Sequence, residues 1–351
     1  MSKEKKILPE LRFPEFVNDG EWVEKKLGKI GDPLMCKRIF KDQTTSNPEY
    51  GIPFYKIGTF GKKADSYISI DLYNEFKAKY NFPAKGDILI SASGTIGRLM
   101  IYDGSPAYFQ DSNIVWLSHD EKQVINEFLF YCYSIVNWQT SDGGVIKRLY
   151  NSDLKNISIG FPKNEREQQK ITSCLSSLDE LMAAHSDKLK ILKDHKKGLM
   201  QNLFPQKGQK VPNYRFPEFE KYGAWVETGI LDIASMKARI GWQNLRKEEH
   251  LDKGDYFLVT GTDFKNNMVD WEHAKFVGYE RYIQDENIIL KEGDILITKD
   301  GSIGKVAYVD NMNAKKATLN NGIFRIRVAN QYSKFIFYTF LTTKFKTFMD
   351  E

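Results

Sequence analysis

The sequence predicts an α+β protein made of two β-rich lobes of common ancestry, separated by a long helix of coiled-coil type. Three observations lead to this fold class. A set of motifs occurs twice, a heptad pattern of apolar residues runs between the two copies, and each copy contains short apolar runs typical of strands. We place the first lobe at residues 1–162, the helical region at 163–205 and the second lobe at 206–351.

The duplication is the strongest of these signals. Residues 12–24 read Arg-Phe-Pro-Glu-Phe, then Gly and Trp-Val-Glu, and residues 215–227 repeat nine of these positions without a gap. Gly-Asp-Ile-Leu-Ile begins at Gly86 and again at Gly293, each time followed by Gly-x-Ile-Gly and a cation. Because the motifs keep their order and nearly keep their spacing, we interpret the lobes as diverged copies of one domain.

Within each copy the apolar runs predict strands, and two helical patterns predict short helices. Pro162 ends an apolar run that resembles a strand. The predicted strands are Ile88–Ile90, Leu99–Tyr102, Leu154–Phe161, Ile295–Ile297, Val306–Val309 and Ile323–Val328, and the predicted short helices are Val124–Val136 and Tyr332–Phe345.

The region between the copies predicts one helix of about 39 residues, or roughly 58 Å at 1.5 Å per residue. Asn164 is a suitable N-cap and Pro205 follows the end. Residues at alternating steps of four and three form a seam in which eight of ten are apolar, as in a coiled coil. The alternative is a long amphipathic helix packed on its own lobe. We assign the seam as a subunit interface: Ile171, Leu175, Leu178, Met182, His185, Leu189, Leu192, Lys196, Leu199 and Leu203.

Composition sets the broad class. The 351 residues are 41% hydrophobic and 28% charged, which are globular values. The three cysteines contain no Cys-x-x-Cys pair, which argues against a disulfide scaffold or a cysteine-based zinc site. The sequence shows neither a signal-peptide pattern nor a run of about eighteen apolar residues, so we expect a cytoplasmic protein without a membrane partner. A net charge of +5 permits a nucleic-acid partner without requiring one.

Motifs for catalysis are weak. Asn47-Pro48-Glu49-Tyr50 resembles the substrate-amine motif of adenine methyltransferases, but Glu49 replaces a proline and no methyl-donor loop accompanies it. Gly301–Lys305 lacks the spacing of a phosphate-binding P-loop. The five histidines have no metal-ligand spacing. We therefore predict no catalytic residue and no metal site.

Polar loop residues instead favour contact with nucleic acid. Cations hold phosphates, and Arg, Lys, Asn and Gln also read base edges. The Gly-x-Ile-Gly loops suit such contacts, although a tight turn that needs glycine is an equally good explanation. The candidate DNA-binding residues of the first copy are Lys37, Arg38, Lys56, Thr59, Lys62, Lys63, Ser91, Ser93, Thr95, Arg98, Gln110, Asn113, Lys147 and Arg148. Those of the second copy are Lys237, Arg239, Trp242, Gln243, Thr262, Lys265, Lys299, Ser302, Lys305, Asn320 and Asn321.

The combination of motifs resembles the specificity subunit of type I restriction–modification enzymes. The resemblance rests on the duplicated Arg-Phe-Pro-Glu-Phe and Gly-Asp-Ile-Leu-Ile motifs, on Pro162, and on Glu-Gln-Gln-Lys-Ile at 167–171 opening a helix that ends Gln-Asn-Leu-Phe at 201–204. It covers nearly the whole chain. It implies two target-recognition domains that each bind half of a bipartite duplex DNA sequence, and a spacer helix that docks methyltransferase subunits.

The resemblance also implies a subunit without catalytic activity or a cofactor of its own. Its methyltransferase partners would use S-adenosylmethionine, and its restriction subunits would use ATP and Mg²⁺. The chain stops where the first copy reaches Ser141–Asp142, so relative to the family pattern we expect an incomplete second domain and no second helix. The seam would then be covered by a second copy, a partner subunit or a separately encoded helix. The alternatives are a methyltransferase or endonuclease, stand-alone or fused, and an assembly scaffold that binds no DNA.

Overall fold

The computed structural model of the chain describes residues 5–138, 148–240, 245–329 and 332–350. The chain divides into two structural units, Met1–His185 and Ser186–Glu351. Each unit has its own buried apolar clusters.

The described part of the first unit contains ten strands and the first part of a long helix. The strands are β1 (Lys5–Ile7), β2 (Trp22–Lys26), β3 (Asp32–Leu34), β4 (Ile52–Tyr55), β5 (Tyr67–Ile68), β6 (Ile88–Ser91), β7 (Leu99–Ile101), β8 (Tyr108–Phe109), β9 (Ile114–Ser118) and β10 (Ser158–Phe161). The helices are α1 (Ile70–Lys79), α2 (Asn126–Ile135), α3 (Asn151–Asn156) and α4 (Glu165–Leu203), which continues into the second unit.

The second unit contains nine strands in its described part. They are β11 (Ala234–Ala238), β12 (Tyr256–Val259), β13 (Phe264–Lys265), β14 (Met268–Val269), β15 (Lys275–Val277), β16 (Ile295–Thr298), β17 (Val306–Tyr308), β18 (Lys316–Leu319) and β19 (Ile323–Val328). The helices are α5 (Ile230–Ile233), α6 (Tyr279–Ile283), α7 (Ser333–Phe340) and α8 (Thr343–Asp350).

The two units share one strand order, which confirms the predicted duplication. The order β3-β9-β6-β7 in the first unit recurs as β11-β19-β16-β17 in the second, with antiparallel neighbours throughout. The order β5-β4-β8 recurs as β15-β12-β18, and in both sheets the second pair is parallel. The first unit has a further sheet, β1-β2-β10, for which the described part of the second unit contains no counterpart.

The central strands β6 and β16 explain the Gly-Asp-Ile-Leu-Ile motif. Ile88 and Ile90 face one apolar cluster while Leu89, which points to the opposite face, belongs to another. In the second unit Leu296 is likewise separated from its two isoleucine neighbours. A strand that is buried on both faces needs a continuous apolar run rather than an alternating one.

Helix α4 confirms the long helix predicted between the lobes. It has 39 residues, and Asn164 Oδ1 accepts a hydrogen bond from the backbone N–H of Arg166 at 3.0 Å, as an N-cap should. Of the helices in the described ranges, none combines the length and apolar character needed to cross a bilayer.

Two secondary-structure predictions were wrong in part. The run Leu154–Phe161 is not one strand, because Asp153 Oδ2 accepts from the Tyr150 N–H at 3.0 Å and starts the short helix α3 before β10. The helix predicted at Tyr332–Phe345 is broken into α7 and α8. At this break Thr342 Oγ1 donates to the carbonyl of Thr339 at 2.7 Å, and α8 starts directly after it.

Candidate nucleic-acid interface

The loop after β6 is held by one buried hydroxyl. Ser91 Oγ donates to the carbonyl of Thr95 at 2.6 Å and accepts from the Arg98 N–H at 2.8 Å. The loop after β16 is built in the same way, because Thr298 Oγ1 donates to the carbonyl of Ser302 at 2.5 Å and accepts from the Lys305 N–H at 3.0 Å. The duplicated sequence therefore encodes a duplicated loop. In both copies the hydroxyl at the start of the loop, from Ser91 or Thr298, forms hydrogen bonds within the protein.

The glycines of these loops are required by the backbone. Gly94, Gly97, Gly301 and Gly304 all have φ between +65° and +82°, a region that residues with a side chain rarely adopt. A Cβ atom at Gly97 would also lie 2.2 Å from the Trp138 ring. The tight-turn interpretation thus accounts for the glycines of the Gly-x-Ile-Gly pattern.

In the first lobe several predicted residues are bound together in one loop cluster. Arg98 reaches the loop after β4, where Nη2 donates to the Ile57 carbonyl at 2.6 Å, and Gln110 Oε1 accepts from the Ile57 N–H at 3.0 Å. Ser93 Oγ lies 2.8 Å from Asn113 Oδ1, and Arg148 donates to the carbonyl of Ser112. Thr59 Oγ1 accepts from the Lys56 N–H at 3.1 Å and completes the same loop. We call these linked residues the first-lobe loop cluster: Lys56, Thr59, Ser93, Arg98, Gln110, Asn113 and Arg148.

Several candidate cations of the first lobe are exposed. Lys62 and Lys63 are exposed, and no ion pair is found for either among the described residues. Arg38 is 3.0 Å from Asp111 but keeps 61% of its side chain exposed. Lys37 lies over the Tyr80 ring at 5.1 Å. Thr95 is also exposed, and Lys56 pairs with Asp65 at 2.8 Å. All of these side chains are able to contact a polyanion such as DNA.

The second lobe has different polar residues in the loops that join the same order of strands. Lys237, Thr262, Lys265, Ser302 and Lys305 are exposed, and Lys265 is 3.5 Å from Asp270. Lys299 lies over the Phe324 ring at 5.3 Å, and Asn320 and Asn321 are half-buried in the turn before β19. Unlike Arg98, which is bound to loop carbonyls, Lys305 is exposed at the equivalent position.

Two predicted contact residues are buried instead. Ser91 has no exposed surface and serves the loop described above. Arg239 is 2% exposed, and its Nε donates to the Leu319 carbonyl at 2.9 Å while Nη2 donates to Thr318 Oγ1 at 3.2 Å. Burial lowers the pKa of the Arg239 guanidinium from its ordinary value. Both side chains are occupied within the fold, so we assign them no contact with DNA. Lys147, Trp242 and Gln243 lie outside the described residues.

The base of α4 contains a buried ion pair that the sequence analysis missed. Glu167 has no exposed surface and accepts from Arg12 Nε and Nη2, each at 2.7 Å, and from Trp22 Nε1 at 3.1 Å. We call this arrangement the Arg12–Glu167 latch. It connects the first repeated motif to the first turn of α4, which lies 155 positions later in the chain. Arg12 and Trp22 belong to a repeated motif and Glu167 to the segment that opens the helix, but nothing in the sequence links these two segments.

The predicted interface on α4 is exposed along its middle. Every residue from 177 to 197 is exposed, including the seam residues Leu178, Met182, Leu189 and Leu192, each more than half exposed. The seam residues Ile171, Leu175 and Leu203, which lie toward the helix ends, are half-buried. The exposed set, including His185, Lys196 and Leu199, is available to another polypeptide.

Among the described residues, the buried cysteines and the histidines offer little reactive or metal-binding chemistry. Burial raises the pKa of the Cys36 thiol to about 12 and that of Cys132 to about 12, so neither forms the thiolate that a nucleophile needs. Asp270, Glu272 and His273 place three possible ligand atoms within 4.8 Å of one another, a grouping that spacing alone did not reveal. His273 Nδ1 lies 2.9 Å from Asp270 Oδ2, and this hydrogen bond is enough to explain the grouping.

Comparison with known proteins agrees with the duplicated frame. The sequence pattern of the family described as Type I restriction modification DNA specificity domain matches residues 19–193 and, a second time, residues 224–351. The chain belongs to this family. Its α+β fold, with two related domains and the long helix between them, is that of type I specificity subunits.

Curated relatives carry the same description. A putative type I restriction enzyme specificity subunit of Haemophilus influenzae is 54% identical over 156 residues, which are 44% of this chain and 40% of that protein. The type I restriction enzyme MjaVIII specificity subunit of Methanocaldococcus jannaschii is 24% identical over 288 residues, which are 71% of this chain and 61% of that protein. The chain thus spans between 40% and 61% of the length of these two relatives.

A solved structure shares the fold. The S subunit of a type I restriction–modification system from M. genitalium superposes with a TM-score of 0.57 at 18% identity, over 98% of this chain and 82% of that one. At this identity the likeness concerns the fold alone.

Proposed function

We propose that this chain is the DNA-reading subunit of a type I restriction–modification complex, in which each lobe reads one half of a bipartite duplex target. The observation that carries the proposal is one strand order used twice with different polar side chains at matching loops. The first lobe combines its loop cluster with exposed Lys62 and Lys63, whereas the second exposes Ser302 and Lys305. Two related frames with unlike loops are suited to two unlike half-sites.

Affinity in this proposal comes from phosphate contacts and specificity from loop amides, hydroxyls and guanidinium groups. Lys62 and Lys63 are the best phosphate ligands of the first lobe, because they are exposed and make no ion pair within the described residues. The best candidates for contact with bases are Arg98, Gln110 and Asn113, which are half-buried and are held in place by hydrogen bonds to neighbouring loops. A fixed position suits a side chain that must form hydrogen bonds with a base edge.

We further propose that α4 docks the methyltransferase subunits through its exposed middle. Residues 177–197 offer an apolar seam flanked by charges, the pattern that a second helix recognises. The subunit itself would be non-catalytic and act in the cytoplasm. Its methyltransferase partners would supply S-adenosylmethionine chemistry, and restriction subunits would supply steps that depend on ATP and Mg²⁺.

The test is selection from random duplex DNA with the purified chain and with a chimera. In the chimera, residues 33–150 are replaced by the same region of a related subunit. We expect the selected sequence to change in one half and to stay unchanged in the other. A change in both halves would refute independent reading by the lobes, and failure of either protein to enrich any sequence would favour the scaffold alternative. Methyl transfer or cleavage by the chain alone, with S-adenosylmethionine and Mg²⁺ present, would favour the enzyme alternative.

A further inference from the structure

The connection between β3 and β4 carries an exposed phenylalanine. Phe40 is 58% exposed, whereas Ile39 beside it is 9% exposed and belongs to a buried apolar cluster of the first lobe. Exposure alone carries little weight, because single apolar side chains are common on protein surfaces. What distinguishes Phe40 is the way its backbone is held and the charges of its loop.

The backbone of Phe40 is fixed by hydrogen bonds. Its N–H donates to Gln43 Oε1 at 2.9 Å, and its carbonyl accepts from the Gln43 N–H at 3.0 Å. Earlier in the same loop, the Tyr108 hydroxyl donates to the Lys37 carbonyl at 3.0 Å. Both contacts of Phe40 use main-chain atoms, so they hold the residue in place without occupying its ring. A side chain presented in this way loses little conformational freedom when it meets a ligand.

The loop of Phe40 is mostly cationic. It contains three exposed cations and one exposed carboxylate, which are Lys37, Arg38, Lys41 and Asp42. Arg38 Nε lies 3.0 Å from Asp111, which directly follows Gln110 of the first-lobe loop cluster in the chain. Phe40 therefore stands among side chains that are able to hold phosphates, on a loop joined to the proposed base-reading residues.

The chemistry of a phenyl ring limits what Phe40 is able to recognise. The ring has no hydrogen-bonding atom, so it selects only apolar groups. On the major-groove edges of the four bases, the apolar group is the C5 methyl of thymine, and the remaining groups that distinguish the bases are hydrogen-bond donors and acceptors. Stacking of the ring on a base would require the duplex to open, which costs free energy that contact with a methyl group does not.

We propose that Phe40 is a specificity-determining residue that contacts the thymine methyl group of one T·A pair in the half-site of the first lobe. The cations of its loop hold the adjoining phosphates, and the fixed backbone aims the ring at one position of the major groove. The inference rests on the proposed function and deepens it. At this position an apolar contact, rather than a hydrogen bond, selects the base.

The experiment is a double-mutant cycle between protein and DNA. Selection from random duplex DNA should show that Phe40→Ala loses a preference for T·A at one position of one half-site and keeps the others. Replacing that thymine by deoxyuridine removes only the methyl group, and should weaken binding of the unaltered chain about fourfold. Phe40→Ala should weaken binding to the thymine target about five- to twentyfold, and should be nearly indifferent to the deoxyuridine replacement.

The salt dependence and the thermal stability of Phe40→Ala separate this contact from charge and from folding. The slope of log affinity against log salt should stay unchanged, because no phosphate contact is lost. The melting temperature should also stay unchanged, because the main chain makes the contacts that fix the residue. Tyr50→Ala is the matched control. Tyr50 is 59% exposed in the same connection but follows Glu49 rather than a cation, so its replacement should keep the affinity and the T·A preference.

Three outcomes would overturn the inference. If Phe40→Ala binds the selected target as tightly as the unaltered chain, the ring is free for a protein partner instead. If Phe40→Ala weakens binding to the thymine and deoxyuridine targets equally, the ring stacks on a base or contacts a sugar. In both cases the unaltered chain still selects its target, so the proposed function stands. If the unaltered chain selects no duplex sequence, the proposed function fails and the inference fails with it.

Discussion

Replacing Glu167 by glutamine tests how much the Arg12–Glu167 latch stabilises the first unit. The Glu167 side chain is 1% exposed and that of Arg12 is 8% exposed, so the substitution leaves a guanidinium charge buried without its counter-ion. Removing one partner of such a pair destabilises by about 3–5 kcal/mol. Because Arg12 keeps its hydrogen bond to Gly20, we expect a value near the lower end, about 3 kcal/mol.

For a unit of this size, Met1–His185, that loss lowers the melting temperature by roughly 6–12 °C. The assay is scanning calorimetry together with urea unfolding followed by tryptophan fluorescence. Glu75→Gln is the matched control, since Glu75 pairs with Lys79 at 3.0 Å on an exposed helix face and should leave the unfolding curve unchanged.

Two outcomes distinguish the effect of leaving the Arg12 charge buried without a counter-ion from the effect of losing hydrogen bonds alone. A double variant, Arg12→Met with Glu167→Leu, removes both charges and keeps the volume, so it should be more stable than Glu167→Gln alone. If Glu167→Gln destabilises by less than about 1 kcal/mol, the range of an exposed ion pair, the reasoning about this latch is refuted.

Three further predictions concern the loops and the thiols. Lys62→Ala with Lys63→Ala should weaken binding to duplex DNA equally for all sequences, and should flatten the slope of log affinity against log salt by about 0.9 per lost phosphate contact; an unchanged slope would mean that both face solvent. Thr298→Val should destabilise the second lobe by about 1–3 kcal/mol in urea unfolding, because two backbone groups of its loop lose their partner. At pH 8, exposed Cys174 should react readily with iodoacetamide. Buried Cys36 should react only as fast as the chain unfolds, because its raised pKa keeps it a neutral thiol below about pH 12. Equal alkylation rates of the two cysteines, measured by mass spectrometry, would contradict this.

The parts of the fold that repeat or follow a regular period could be predicted from the sequence. Helix α4 is detectable because its seam, its N-cap Asn164 and the proline after it all agree on the same ends. Only the first part of the predicted strand Leu154–Phe161 was wrong, because a buried Leu154 gives the same apolar signal on a short helix as on a strand, whereas its second part forms β10.

The candidate site was predictable only in its location. Residue type indicates that a side chain is able to bind a phosphate or a base, but not whether the fold turns it outward. Arg239 has the right chemistry and is buried against Leu319, whereas Lys305 at the end of a glycine turn is exposed. The Arg12–Glu167 latch was missed because its partners are far apart in sequence, and a single chain gives no signal for such a pairing.

The first-lobe loop cluster has a thermodynamic consequence for recognition. Because Arg98 and Gln110 are both bound to the backbone of Ile57, three loops lose their conformational freedom when the chain folds rather than when a ligand arrives. Binding to this face then costs little entropy for ordering the loops. A DNA duplex whose sequence fits poorly must change its own conformation instead. Arg98→Ala would release the loops, so we expect it to loosen discrimination between sequences more than it lowers affinity for any one of them. Under the proposed function, a face built in this way should change its target when linked loops change together, because altering one residue breaks the contacts that hold its neighbours.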